Sequence, residues 1–222
     1  MADFAPDARL RWARIAGAVA VLGAVIGMCG DYCLLYSPQG GYMDGDYAFL
    51  RDIPNSRLIW GHYLGILGIP LEAAGLYLVW LSLLQMGRRV AMSAVIAGLY
   101  VMFSGVAYHG GVYPLADAVR MGGGQMEAFR PFNEPLGLAF AVVFFLLVLV
   151  YGYWVVRGKT ALPRWFAALT PLVSYGLVMA LYGLVPSIGN VLAPMGFNLG
   201  MGLFFGTMAV MAPGWIRQVP AD

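Results

Sequence analysis

An all-α bundle of about six membrane-spanning helices, with both termini cytoplasmic, is the fold this sequence predicts. Three observations carry that expectation. The 222 residues are 61% hydrophobic and 11% charged, with a mean hydropathy of +0.75, whereas soluble domains hold about 25% charged residues. Six apolar stretches reach about 20 residues, the length a helix needs to cross a bilayer. Clusters of Pro, Gly and Arg separate those stretches. The chain reads as a single transmembrane domain over 1–222.

The first stretch is roughly 15–36. Its Arg-rich start suggests a signal peptide, but the run is too long for a signal core and no small-residue cleavage site follows, so it reads as a retained span. Ser37-Pro38-Gln39-Gly40-Gly41 ends it. The second runs over 58–84 and contains Pro70. Gly87-Arg88-Arg89 separates it from the third, 89–109. The fourth, 134–157, opens on Glu134-Pro135, a helix-start pair. Gly158-Lys159 and Pro163-Arg164 bracket the link to the fifth, 164–185. Pro186-Ser187 and Gly189-Asn190 turn the chain into the sixth, 192–213.

Lys and Arg set the orientation. Arg9, Arg11, Arg14, Arg88, Arg89, Arg157, Lys159, Arg164 and Arg217 fall on one side, and Arg51, Arg57, Arg120 and Arg130 on the other. The richer side is the cytoplasm. The two long loops, 37–57 and 110–133, then face outward. The first carries Asp44, Asp46 and Asp52. The second carries Asp117, Glu127 and the Gly122-Gly123-Gly124 break, and Leu115 to Met121 reads as a short interfacial helix. Long loops tend to carry function.

Other classes are set aside. A net charge of +2 without a basic stripe argues against nucleic acid. Cys29 and Cys33 share a helix face but are poorly placed for a disulfide. Pro70-Leu71 with Gly75-Leu76 matches Pro171-Leu172 with Gly176-Leu177, the spacing an inverted repeat would leave.

Charge inside a span costs about 2.5–3.5 kcal/mol on insertion scales, so each embedded ionisable group needs a reason. Asp31, His62, His109 and Glu134 fall at similar outer depths on four spans. Glu72 lies about 15 Å deeper than His62 at helical rise, just past Pro70. It must be protonated, paired or beside a wet cavity. Asn198 reaches a comparable level on the sixth span, and Tyr63, Ser104 and Tyr108 add hydroxyls.

The leading expectation is an outward-facing polar pocket for a lipid-like or hydrophobic small molecule, placed in the plasma membrane. Glu72, His62 and His109 would be its catalytic acid–base groups. Asp31, Glu134, Asn198, Arg57 and Tyr108 would contact the substrate. A metal version would use Asp31, His62 and His109 as ligands. A bis-histidine b-type haem would use His62 and His109, with Arg57 or Arg120 on the propionates. A proton-coupled transporter would use Glu72, and with only six spans is expected to form a homo-oligomer. A non-catalytic accessory subunit would instead pack its glycine faces on a partner.

Gly30-Asp31-x-x-Leu34-Leu35-Tyr36, followed by Arg57-Leu58-x-x-Gly61, resembles a family of uncharacterised six-span bacterial integral membrane proteins. The resemblance spans about the first third of the chain. It implies the same architecture and draws attention to Asp31 and Arg57, but implies no reaction.

Overall fold

The computed structural model describes residues 6–41, 47–122 and 125–219, so Asp44, Asp46, Gly123 and Gly124 lie outside the described residues. The helices are α1 (Pro6–Leu35), α2 (Asn55–Glu72), α3 (Leu76–Leu83), α4 (Arg88–Met121), α5 (Gln125–Val156), α6 (Pro171–Leu184), α7 (Pro186–Leu192) and α8 (Gly196–Trp215). No strand occurs among the described residues.

Among the described residues, five segments are long and apolar enough to cross a membrane: Asp7–Leu35, Asn55–Met86, Arg88–Met121, Glu127–Val156 and Gly196–Gln218. The second joins α2 to α3 through a 3-10 turn, Ala73–Gly75. Pro70, inside α2, has no N–H to give Ile66, and the tighter turn begins directly after Glu72. The stretch expected as a fifth span, 164–185, is divided. Arg164–Leu169 forms a 3-10 turn and α6 has 14 residues, fewer than the roughly 20 of a full crossing. Prolines at the first turns of α6 and α7 account for both breaks.

The 110–133 segment differs from the expected loop. α4 continues to Met121 and α5 already starts at Gln125, so the Leu115–Met121 stretch is the last part of a long helix. Val112, Leu115, Ala116 and Val119 recur at helical spacing. They bury against Leu34, Phe49, Leu50, Ile53 and Leu58, closing one end of the bundle. Gly122, with φ 65°, stops α4 in a conformation that favours glycine. Arg120 holds the cap together by donating to Asn55 Oδ1 and the Ile53 carbonyl.

Glycines set the helix register. Along α1 and α8, Gly17 faces Ala209, Val21 faces Gly206, Ala24 faces Gly202 and Gly27 faces Asn198. Falling numbers against rising ones make the two helices antiparallel, with the start of α1 and the end of α8 at the same end of the bundle. Along α1 and α2, Gly23 and Gly27 meet Gly68, and Gly30 meets Gly61 and Gly65. Backbones approach this closely only without side chains between them. α4 follows on α2, and α5 on α4. Phe140 and Phe144 of α5 then reach Phe197 of α8, with ring centroids 5.4 and 4.7 Å apart, which closes a ring of helices. α6 packs on the outside of α8.

The two segments that match in sequence fold differently. Pro70 is inside a helix and Gly75 lies under the Phe205 ring. Pro171 starts a helix, and Gly176 has nothing within 4 Å of an added Cβ.

Arg57 closes α1. Its Nη2 donates to the Tyr32 and Tyr36 carbonyls at 2.8 and 2.9 Å, and its guanidinium lies over both stacked rings. Helix C-termini favour such a cation. Arg57→Ala is expected to destabilise the protein by about 1 kcal/mol. Hydrogen exchange should quicken at residues 33–36 and stay unchanged in α5.

Candidate functional site

Three helices bring one polar side chain each to a common point inside the ring. Asp31 sits one turn before the end of α1, His109 in the middle of α4's cap-side half, and Asn198 in the first turn of α8. The Asp31 carboxylate accepts from His109 Nε2 at 2.7 Å through Oδ1, and from Asn198 Nδ2 at 2.5 Å through Oδ2. All three residues are buried. Each carboxylate oxygen thus has a donor, which is what keeps a charge tolerable there.

Two glycines make the room. The imidazole of His109 lies against Gly65 of α2, where an added Cβ would fall 2.7 Å from Cγ and closer to Nδ1 and Cε1. The Asn198 amide lies on Gly27, with 2.8 Å between its Cγ and an added Cβ. Among the described residues Nδ1 of His109 has no hydrogen-bond partner, so the pairing with Asp31 orients the ring.

A cavity of about 120 Å³ opens beside this cluster. Asp31, His109, Asn198 and Tyr108 supply its polar wall, and Ile69, Val101, Met102, Phe140 and Phe197 much of the apolar remainder. Tyr47 and Asn133 lie beside Tyr108. A second cavity of about 50 Å³, between α3, α4, α5 and α8, is lined almost wholly by apolar side chains. Val101 and Met102 border both. The arrangement offers an acidic, hydrogen-bonded head position backed by apolar space.

The remaining expected site residues lie elsewhere. Glu72 is 0% exposed, neither of its carboxylate oxygens is hydrogen-bonded among the described residues, and it does not line the cavity. His62 is half-buried with its ring edge-on to Tyr63. α2 buries Gly61, Gly65, Gly68 and Glu72, and His62, one position past Gly61, is turned off that face. Glu134 is exposed and pairs with Arg130 at 3.6 Å. Arg57 is committed to α1.

These placements correct three expectations. Among the described residues no three His, Cys, Asp or Glu side chains are placed to hold a metal ion, so the Asp31–His62–His109 set reduces to its Asp31–His109 edge. The haem set does not fit either. His62 does not line the cavity that His109 lines, Nε2 of His109 is engaged by Asp31, and Arg57 and Arg120 hold backbone carbonyls. Glu134 does not open a helix; it lies on the outer surface of α5, nine residues past that helix's start.

Sequence reasoning missed Asn133, Gly27, Gly65 and Met102. Asn133 neighbours the charged Glu134, but the 100° step between them puts it inside and the glutamate outside.

A family model covers residues 11–213, a range that includes Asp31, Glu72, His109 and Asn198. The chain belongs to DUF6796, a family of unknown function. No curated protein and no solved structure matches it. The resembling motif in this DUF6796 chain now has a physical reading. Gly30 and Gly61 bring α1 and α2 together, Leu34 and Leu58 fill the cap, and Arg57 closes α1. Asp31 and Leu35 are the motif residues that line the cavity, and Asp31 is the polar one.

Proposed function

We propose that the protein binds a lipid-like molecule with a small hydrogen-bonding head, placing the head at Asp31, His109 and Asn198 and apolar atoms toward Val101 and Met102. The observation that carries this reading is the union of one buried, fully bonded carboxylate with two adjoining cavities whose other walls are mostly apolar. Ligand sites have this make-up: apolar walls with a few fixed polar groups. Asp31 would accept from a ligand hydroxyl or amine. Any acid–base chemistry belongs to the Asp31–His109 pair, because Glu72 does not line the cavity. In this reading the protein is a multi-pass plasma-membrane protein. Both termini are cytoplasmic, the fifth of six crossings is made by the Arg164–Leu169 turn with α6, and the cavity lies in the outer half.

The test is chemical. The protein is extracted in mild detergent, denatured, and its organic extract analysed by mass spectrometry. An amphiphile should accompany the wild type in near-equal amount and be depleted at least tenfold in Met102→Trp, which fills the wall the cavities share. Identical extracts from folded wild type and variant would refute the assignment.

A further inference from the structure

The Asp31 cavity leaves the other end of the bundle unaccounted for. There the segment Asn55–Met86 ends, α4 starts and α5 ends. A cleft of about 480 Å³ opens between them, with Gln85 and Met86 on one side and Tyr153, Trp154, Arg157 and Lys159 on the other. Gly158, with φ 63°, closes α5. Its N–H donates to the Val155 carbonyl at 2.9 Å, and that of Lys159 to the Trp154 carbonyl at 2.8 Å. The link beyond is tied down too. Ala161 N–H donates to the Ser82 carbonyl at 2.9 Å, and Thr160, Ala161 and Leu162 are buried. Arg164 then folds back over Gly158, its Nε 3.5 Å from where a Cβ there would sit. Arg157, Lys159 and Arg164 therefore hang on a fixed frame, with their side chains exposed.

These cations lack counter-charge. The chain has no Asp or Glu between Glu72 and Asp117, nor between Glu134 and Asp222, so the segments that form the cleft supply none. Among the described residues no acidic side chain pairs with Arg89, Arg157, Lys159 or Arg164. Such a cluster attracts an anion, and a guanidinium meets phosphate oxygens in pairs.

Trp154 joins the cleft to a second hollow. A groove of about 470 Å³ runs between α4 and α5, with Arg89 and Trp154 at its mouth. Gly111 faces Asn133, Tyr108 faces Gly137 and Gly105 faces Phe140. Carried down the two helices, that register puts Arg89 at the level of Val156 and Arg157. α4 lines the groove with Ser93, Ala94 and Ala97, too small to meet Val143, Leu146 and Val150 of α5. From Val143 to Trp154 is about 16 Å at helical rise. One leaflet of a hydrocarbon core has about that depth, half of roughly 30 Å.

We propose that this face binds an anionic phospholipid, with its phosphate at Arg157, Lys159 and Arg164 and one acyl chain in the α4–α5 groove past Arg89. Charge selects the head, and the groove's length and apolar lining select the chain. A soluble phosphate would leave the groove empty. A symmetric second copy seated there would bring the same cations against these. The inference rests on the membrane-spanning reading. It is independent of the Asp31 cavity, which lies in the opposite half of the bundle.

The experiment is native mass spectrometry of the full chain in detergent, with dioleoyl phosphatidylglycerol and dioleoyl phosphatidylcholine added in equal amounts. One phosphatidylglycerol should be retained per chain, at least about tenfold over phosphatidylcholine. The combined variant Arg157→Gln, Lys159→Gln, Arg164→Gln should lose the preference. Ala97→Trp, which fills the groove and leaves every cation in place, should weaken phosphatidylglycerol binding at least about tenfold. Glycerol 3-phosphate at the same concentration, carrying the head chemistry without a chain, should displace nothing. The comparison of two lipids on the wild type decides even where a variant does not fold. Equal retention of the two lipids would overturn the proposal. So would a preference that survives the combined variant, displacement by glycerol 3-phosphate, or a dimer that takes up no lipid.

Discussion

Asp31→Ala is expected to produce the largest loss of stability of any single truncation at the site, about 3–5 kcal/mol, the range for removing one partner of a buried ion pair. Among the described residues, the carboxylate is the only group that holds both His109 and Asn198. Without it, His109 Nε2 and the Asn198 amide are left buried and unbonded in apolar surroundings. Asp31→Asn should be far milder. The amide oxygen can still accept from His109, and Asn198 can turn its free Oδ1 toward the new amide donor. Denaturant or thermal unfolding in detergent checks the order: wild type, then Asp31→Asn, then Asp31→Ala at a distance. If alanine proves as harmless as asparagine, Asp31 is not the link between the three helices. Bound amphiphile should fall in both variants, because both remove the charge.

How much of this was readable beforehand depends on which physical signal each residue sends. Length and hydropathy reveal spanning helices directly, so α1, α4, α5 and α8 fall near their expected places. The fifth stretch misleads, because hydropathy is blind to the proline that splits it at Thr170–Pro171. The cap misleads in the opposite way: its residues are polar enough to read as loop, yet Val112, Leu115 and Val119 carry a helical stripe. For the site, embedded charge pointed to Asp31, His109 and Glu72, and to the amide of Asn198. Depth alone made His62 and Glu134 look like companions. Depth is a one-dimensional coordinate, and the rotation of each helix decides whether a group at the right height faces inward. That rotation is set by the glycine seams, Gly23-Gly27-Gly30 against Gly61-Gly65-Gly68. Their pattern is in the sequence, but their pairing is not.

Gly65→Ala tests that dependence at the point where seam and site meet. Its new Cβ would occupy the space of the His109 ring. α2 cannot simply retreat, because an added Cβ on Gly30 already lies 2.8 Å from the Gly65 amide nitrogen, so α1 closes the other side. The imidazole must rotate away, and its bond to Asp31 breaks. Overpacking of this kind costs about 1–3 kcal/mol, and the lost hydrogen bond to a charged group adds about 1.5–3. Gly105→Ala, whose Cβ would find its nearest neighbour at 3.6 Å, and Gly176→Ala, in open space, should be close to silent. The decisive arm is the double variant. If the clash is with the imidazole, His109→Ala removes it, and adding Gly65→Ala to His109→Ala should cost little more than His109→Ala alone. An undiminished penalty in that background would place the clash in the α1–α2 backbone contact. The glycine would then hold the helices together without holding the histidine.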